Sequence, residues 1–497
     1  MVTMKDEHHF IAIDLGAESG RAMLVRLAGD RADLQEVHRW HNRPVVMAGT
    51  RYWNLPHLFN EILDALKLCA ARNLELTSIG VDAWGVDFGL LDYAGRMISL
   101  PVQYRDSRTE GIHEYSDPIM SRQEIFLRTG YEPWAIASLF QLLAMQRDHD
   151  SVLEIAETFL NFSDMLNYLL TGHAVNERSI ACTSGMMNAS GCWDEEIIRT
   201  FGLKRIMFGP LVEPGTVLGP LRDDIRRQTQ LTDIPVIAVA GHDTASAAAA
   251  VPAVEGDNWA FLSCGTWSVL GAFLDEPICT PHCLSLGFTN EYTYGQWFLA
   301  RNISGLWLVQ ELRRKWNTLE DPLDYDRMTN EARSDQAASY GGLIDVADPS
   351  LTAPIDMQEA IEALLAGSGQ DPPKTRGQLV RCVLTSLALE YNARLETMSE
   401  LTGRKFDSLY MVGGGIANDL LCQLTADACG INIHAGPTQC TAMGNALIQA
   451  AALKIIDGPQ AIRSVMREST EIADYRPQSE DQWSQKREDY AKLISRR

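Results

Sequence analysis

The chain has 497 residues, 46% of them apolar and 22% charged, the balance of a globular protein too long for one hydrophobic core, so two domains are expected. Lys plus Arg number 43 against 65 Asp plus Glu, a formal net charge of -22, and this excess of acid opposes nucleic acid or anionic membrane as a partner. No run approaches the ~20 apolar residues of a membrane span.

The first nine residues, Met-Val-Thr-Met-Lys-Asp-Glu-His-His, carry acids and no apolar signal core, so a cytoplasmic protein is expected. Ten scattered cysteines then read as buried small side chains. Cys279-Thr-Pro-His282-Cys283 lacks the second ligand pair of a structural zinc site. Nothing in the sequence sets an oligomeric state.

Taken in order, Phe10-Ile-Ala-Ile13 reads as a strand, Asp14-Leu-Gly-Ala-Glu-Ser-Gly-Arg21 as a glycine turn, and Ala22-Met-Leu-Val-Arg-Leu27 as a second strand. That order argues against a dinucleotide fold, whose glycine turn must open a helix, and the G-x-G-x-x-G spacing is missing. Residues 53–68 read as a helix, with Pro56 early and Leu58, Ile62 and Leu66 on one face. The strand Ser78-Ile-Gly-Val81 runs into Asp82-Ala-Trp-Gly-Val-Asp87, an unusual place for two acids and a tryptophan. Tyr104-Arg-Asp-Ser-Arg-Thr109 reads as a polar loop, and residues 138–145 as an amphipathic helix.

Val236-Ile-Ala-Val-Ala-Gly-His-Asp-Thr-Ala-Ser246 is an apolar strand that breaks at Gly241 and enters a helix of small residues suited to close packing. It sets Asp243 near a helix N-terminus, either as a cap or as a functional carboxylate. A domain boundary is expected over residues 252–257, separating domains at 1–251 and 258–497. Beyond it Trp259-Ala-Phe-Leu-Ser-Cys-Gly-Thr-Trp-Ser268 and Val269-Leu-Gly-Ala-Phe-Leu274 repeat the opening plan of strand, turn and strand, which suggests two related halves. A long helix is expected over residues 378–402, ended by Gly403, with Val383, Leu387, Arg394 and Met398 describing its faces. Then come a strand over residues 406–412, the turn Gly413-Gly-Gly415 and a helix from about Ala417. The last forty residues, polar around isolated aromatics such as Trp483 and Tyr490, read as a surface helix.

The glycine turns at Gly16, Gly265 and Gly413 expose backbone N–H groups at strand ends, the kind of loop that cradles phosphates. With carboxylates Asp14 and Asp243 they suit a nucleoside triphosphate and the magnesium it carries. No P-loop competes: Gly367-Ser-Gly-Gln-Asp-Pro-Pro-Lys-Thr375 has the wrong spacing and two prolines where donors are needed. No G-x-S-x-G elbow supports a hydrolase, and His242 reads equally as a core histidine or a site residue.

Together Asp14-Leu-Gly-Ala-x-Ser-Gly-Arg21, Asp82-x-Trp-Gly-Val-Asp-Phe88, Tyr104-Arg-Asp-Ser-Arg-Thr109, Gly241-His-Asp-Thr244, Ser263-x-Gly-Thr-Trp267, Asn302-Ile-x-Gly-Leu-Trp-Leu-x-Gln310 and Val412-Gly-Gly-Gly415 resemble the FGGY carbohydrate kinases over nearly the whole chain, nearest to the branch acting on L-rhamnulose. The resemblance implies an α/β fold of two duplicated ribonuclease-H-like domains of the actin and hexokinase type around a central cleft. Sugar would bind mainly on the first and ATP mainly on the second. It implies Mg²⁺ near Asp14 and a triphosphate facing Ala17, Glu18, Ser19, Gly20 and Arg21. Gly85, His242, Asp243, Thr244 and Asn302 would line the sugar site, and Thr266, Gln310 and Gly414 would serve the nucleotide, with Asp243 as proton acceptor. The implied reaction is phosphorylation of the C1 hydroxyl of L-rhamnulose, a step in L-rhamnose breakdown; another ketose such as L-fuculose and a non-catalytic actin-like sensor of sugar and ATP are the alternatives. Two positions depart from the family pattern: Glu18, where relatives carry a small hydroxyl residue, and Cys264, where a serine is common.

Overall fold

The computed structural model describes residues 7–72, 74–254, 256–478 and 480–495. It comprises two compact units. The first holds the residues up to Pro252 together with Phe273–Leu299 and Cys440–Ser469; the second holds Ala253–Ala272, Ala300–Gln439 and the residues from Thr470 on. The units are therefore not two consecutive stretches: residues 252–257, of which Glu255 lies outside the described residues, mark only the first crossing, and two later segments return to the first unit.

The first unit is built on a mixed sheet of β1 (Glu7–Leu15), β2 (Ser19–Ala28), β3 (Arg31–His41), β4 (Leu76–Ala83), β5 (Thr216–Pro220) and β6 (Pro235–Ala238), in the order β5-β6-β4-β1-β2-β3. The hairpin of β1 and β2 is antiparallel, whereas β1 and β6 each run parallel to β4. Phe10 to Ile13 are fully buried, the continuous apolar run expected of a strand covered on both faces. Each large apolar side chain so buried stabilises the unit by about 1.5–3 kcal/mol. Helix Leu55–Ala70 begins where the Asn54 side chain accepts a bond from the His57 N–H, with proline in its first turn, and it buries Leu58, Ile62 and Leu66 as the spacing required.

In the second unit β7 (Trp259–Cys264), β8 (Trp267–Leu274), β9 (Ser408–Val412), β10 (Asn432–Ala435) and β11 (Ala473–Tyr475) are neighbours in the order β8-β7-β9-β10-β11. β7 and β8 form an antiparallel hairpin, and β7 runs parallel to β9. An opening hairpin whose first strand gains a parallel partner from later in the chain is thus common to both units. Helix Arg376–Thr402 is capped by Thr375 and stopped by Gly403 in the left-handed conformation at φ 64°.

Two expectations change. Helix Ser138–Arg147 is not amphipathic, because residues 138–145 are all buried; its polar Gln141 is bonded inside, donating to the carbonyls of Val86 and Ile136. The chain end is more than a surface helix. It contributes helix Gly458–Ser469 to the first unit and β11 to the second, and helix Glu480–Ile494 buries Trp483 and Tyr490, whose hydroxyl donates to Glu390 at 3.0 Å.

Candidate active site

Three acids meet at the carboxyl ends of parallel strands in the first unit. Asp14 on β1 and Asp82 on β4 are cross-strand partners, which in a parallel pair puts both side chains on one face of the sheet. β6 brings the chain alongside β4 as far as Gly241, whose carbonyl accepts from the Ala83 N–H at 2.9 Å. Helix Asp243–Ala249 starts there, with His242 at its cap position making no side-chain cap bond. Asp243 is therefore not a cap. Its Oδ1 accepts from the backbone N–H of Thr244 at 2.6 Å and from the Thr244 hydroxyl at 3.2 Å, and the carboxyl is about 30% exposed. No contact among the described residues engages Oδ2.

The three acids are balanced differently. Asp14 is 5% exposed and accepts from Arg21 through Nε at 2.8 Å and a terminal guanidinium nitrogen at 2.6 Å. Asp82 is fully buried; its Oδ2 accepts from Asn445 at 2.6 Å, and its Oδ1 has no partner. Burial, and next the charge of Asp14, push the Asp82 carboxyl well above its usual range. Burial also raises Asp243, against the His242 cation, which lowers it.

Asn445 reaches Asp82 from helix Cys440–Ala452, which also places Gln449 to donate to the Ile11 carbonyl at 3.0 Å and to Asn445 at 2.7 Å, while Ser78 donates back to Gln449 at 2.7 Å. These amides fit because Gly80 lies beneath them: a Cβ there would stand 2.4 Å from Asn445 Oδ1. The same helix meets the one carrying Asp243 through Gly444, where a Cβ would come 1.9 Å from the Ser246 carbonyl oxygen. The sequence had marked the small residues after Asp243 for close packing; the partner comes from two hundred residues away.

His242 is held among acids. Its Nδ1 lies 3.0 Å from Glu291 Oε2, close enough for an ion pair though not aligned as a hydrogen bond, and its Nε2 is 3.5 Å from Asp243 Oδ1. Burial opposes charge on the ring, but Glu291, then Asp243 and Glu177, outweigh it and carry the pKa to about 9. Glu177 fixes the turn itself: its carboxylate accepts from the N–H groups of Gly241 at 2.8 Å and Ser179 at 2.6 Å and from the Ser179 hydroxyl at 2.6 Å, and Ser179 in turn accepts from the His242 N–H at 3.3 Å. Burial raises Glu177 to about 7 against these donors.

Gly85 sits on a locked loop. A Cβ there would meet Thr183 at 2.8 Å, and the next residue, Val86, has φ 69°, a strained conformation for a β-branched side chain that costs about 1–3 kcal/mol. Three bonds hold it: Val86 donates its N–H to the Thr183 hydroxyl, and its carbonyl accepts from Ser138 and Gln141. Below it the buried Asp87 accepts from the indole N–H groups of Trp53 at 2.6 Å and Trp84 at 2.9 Å. Burial raises its pKa to about 6 against these bonds. The two acids of this motif therefore do different work, Asp82 facing Asp14 and Asp87 anchoring two tryptophans.

The first glycine turn spends its carbonyls inward: Gly16 accepts from Asn42 Nδ2 at 2.6 Å, Glu18 from the Asn42 N–H and Ser19 from the Gly16 N–H. Among the described residues the Ala17 and Glu18 N–H groups have no intramolecular partner. The Glu18 side chain is exposed, and Gly20 gives room to the Trp40 indole, 2.4 Å from where a Cβ would be.

In the second unit Thr266, Gln310 and Gly414 line one cavity of about 360 Å³, with Gly265, Tyr325 and Asn418. The turns at Gly265 and Gly413 lie side by side because β7 and β9 pair in parallel. The carbonyls of Gly265 and Thr266 accept from the N–H groups of Leu306 and Trp307. Cys264 is buried beneath Gly415, where a Cβ would meet its Sγ at 2.4 Å, so this position packs the turn and offers no side chain to the cavity. Asn302, on strand Gln296–Ser304, belongs to the second unit, whereas Gly85, His242, Asp243 and Thr244 belong to the first.

Asn445, Gln449, Glu177 and Glu291 escaped the sequence reading. Two amides four apart in the otherwise small and apolar stretch Ala442-Met-Gly-Asn-Ala-Leu-Ile-Gln449 were a signal for a buried polar face. Glu177, between Asn176 and Arg178, and Glu291, between Asn290 and Tyr292, had none. Among the described residues no group of three or more His, Cys, Asp or Glu side chains is arranged to hold a metal, and no helix is long and apolar enough to cross a membrane.

The chain has relatives among known proteins. It is 40% identical over 479 residues to the rhamnulokinase of Bacteroides thetaiotaomicron, covering 96% of this chain and 97% of that one. It is 34% identical over 468 residues to the rhamnulokinase of Oceanobacillus iheyensis, covering 94% and 97%. Among solved structures the fold is similar to Plasmodium falciparum glycerol kinase with ADP, at a TM-score of 0.80, 16% identity and coverage of 98% of each chain. It is also similar to xylulose kinase from Rhodospirillum rubrum, at 0.79, 17% and 99% of each. The N-terminal domain of the FGGY family of carbohydrate kinases matches residues 9–250 and the C-terminal domain matches residues 260–453, so this two-unit α/β chain belongs to the FGGY family of carbohydrate kinases.

Proposed function

We propose that the chain is an ATP-dependent kinase that phosphorylates the C1 hydroxyl of L-rhamnulose, giving L-rhamnulose 1-phosphate and ADP. The choice of sugar is supported by the likeness to rhamnulokinases over nearly the full length. The observation that carries the chemistry is the Asp243 carboxyl, tethered through Oδ1 to Thr244 with Oδ2 left open. As the sugar oxygen attacks the γ-phosphorus and the bond to the β-bridging oxygen breaks, the hydroxyl proton passes to Asp243 Oδ2, and ADP leaves. Phosphoryl transfer asks a protein chiefly for alignment and charge compensation. A carboxyl raised by burial and still lowered by an adjacent cation suits proton acceptance near neutral pH.

In this reading the first unit mainly holds the sugar, through Gly85, His242, Asp243 and Thr244. The second mainly holds ATP, whose base side would occupy the cavity of Thr266, Gln310 and Gly414. The unpartnered N–H groups of Ala17 and Glu18 and the Arg21 guanidinium face the phosphates. Oxygen-only carboxylates with one buried, unpartnered oxygen on Asp82 fit Mg²⁺, which takes one or two carboxylates and the nucleotide phosphates. Asp14 would hold it, and when bound it would neutralise charge on the transferring phosphate. Dependence on ATP supports a cytoplasmic location.

The test is ADP release with Mg²⁺ and ATP across L-rhamnulose, L-fuculose, L-ribulose, D-xylulose and glycerol. Highest kcat/KM on L-rhamnulose is expected, and Asp243→Asn should lower turnover by about 10²- to 10⁴-fold with sugar binding kept. Preference for another ketose would change the substrate; no sugar-dependent ADP release would leave a sensor that binds without transfer.

A further inference from the structure

A sugar-lining role for His242 leaves Glu291 unexplained. Glu291, on strand Thr289–Thr293, is 3% exposed, in a place where a carboxylate is costly unless a cation stands beside it. His242 is that cation by position, its ring spanning from Glu291 Oε2 at 3.0 Å to Asp243 Oδ1 at 3.5 Å. An imidazole buried among apolar groups would be neutral; this one faces Glu291 on one side, Asp243 on the other, and Glu177.

We propose that Glu291 is a positioning residue that keeps His242 as a fixed imidazolium, and that this cation holds Asp243 ionised and ready to accept the sugar's proton. The inference rests on the reading of Asp243 as proton acceptor and gives His242 an electrostatic task. Among the protein's own groups facing Asp243, Asp14 repels its charge, Tyr104 carries none at neutral pH, and Thr244 helps by hydrogen bonding, so His242 is the protein cation that favours its ionisation. Glu291 itself faces Tyr131 and Cys182, both held protonated by burial, so His242 is its route to the site. With the ring charged to about pH 9, the cation is present throughout the neutral range and is lost only well above it.

The experiment is the pH profile of kcat/KM for the ketose, at saturating Mg²⁺ and ATP, for the parent protein, Glu291→Gln, His242→Gln and the double variant. Removing the cation lets the Asp243 pKa rise, so the acid limb should move to higher pH in Glu291→Gln by about 1 unit or more, within the range for an opposite charge at this distance. His242→Gln should move it in the same direction, and the double variant no further than His242→Gln alone. An unmoved limb in a folded Glu291→Gln, or a double variant that shifts by the sum of the two, overturns the proposal. Should Glu291→Gln fail to fold, an unmoved limb in His242→Gln overturns it equally. Near-normal turnover in Asp243→Asn would instead remove the base reading itself, whereas a disabled Asp243→Asn with unmoved limbs refutes only the role of Glu291 and His242.

Discussion

Gly444→Ala tests whether the helix carrying Asp243 is held where the fold needs it. The added methyl would stand 1.9 Å from the Ser246 carbonyl oxygen, about 1.5 Å inside the 3.4 Å at which ordinary contact begins, and the next neighbour is the Ser246 carbonyl carbon at 2.8 Å. These are backbone atoms, so no rotamer change relieves the overlap and helices Asp243–Ala249 and Cys440–Ala452 must separate. Helix propensity alone favours alanine over glycine by about 1 kcal/mol. Overpacking against backbone costs about 3 kcal/mol at the upper end of its usual range, leaving a net loss of about 2 kcal/mol, or a fall in Tm of about 3 °C for a unit of this size. Asp243 lies in the first turn of the displaced helix, and a misplacement of about 1 Å at the reacting atoms costs on the order of 10²-fold in kcat. Thermal unfolding and steady-state ADP release read both effects. A variant with raised Tm, as propensity alone dictates, and kcat within about twofold of the parent would refute the close-packing argument.

Asn445→Ala strips Asp82 of its amide donor and should lower stability by about 2 kcal/mol, the cost of leaving a buried polar group unpaired; combined with Asp82→Ala it should cost less than the two single changes added, and additive losses in urea unfolding would contradict the coupling. Glu18→Ser should leave the KM for ATP within about threefold, under 1 kcal/mol, because the Glu18 side chain is exposed. A large gain in ATP affinity would mean that its charge bears on the triphosphate.

The sequence by itself determined the pieces whose causes are local. Apolar runs such as Phe10-Ile-Ala-Ile13 and Trp259-Ala-Phe-Leu262 read as buried strands and the glycines that follow them as turns, although the N–H groups of Gly16, Gly265 and Gly413 themselves are not open but donate to the carbonyls of Ser19, Trp267 and Pro437. The motif string from Asp14 to Gly415 identified the family, and the small residues after Asp243 announced a close helix contact without naming its partner. Tertiary structure decided what depends on distant segments meeting. Asp14 and Asp82 became neighbours through a parallel pairing across sixty-eight residues, and Asn445 reached Asp82 because residues 440–469 return to the first unit. Composition cannot tell an exposed polar position from one bonded inside, so helix Ser138–Arg147 looked amphipathic and was buried. The charge of His242 was equally illegible. A histidine's state is set by the groups within a few ångströms of it, and Glu291, forty-nine residues along the chain, is brought there only by the fold.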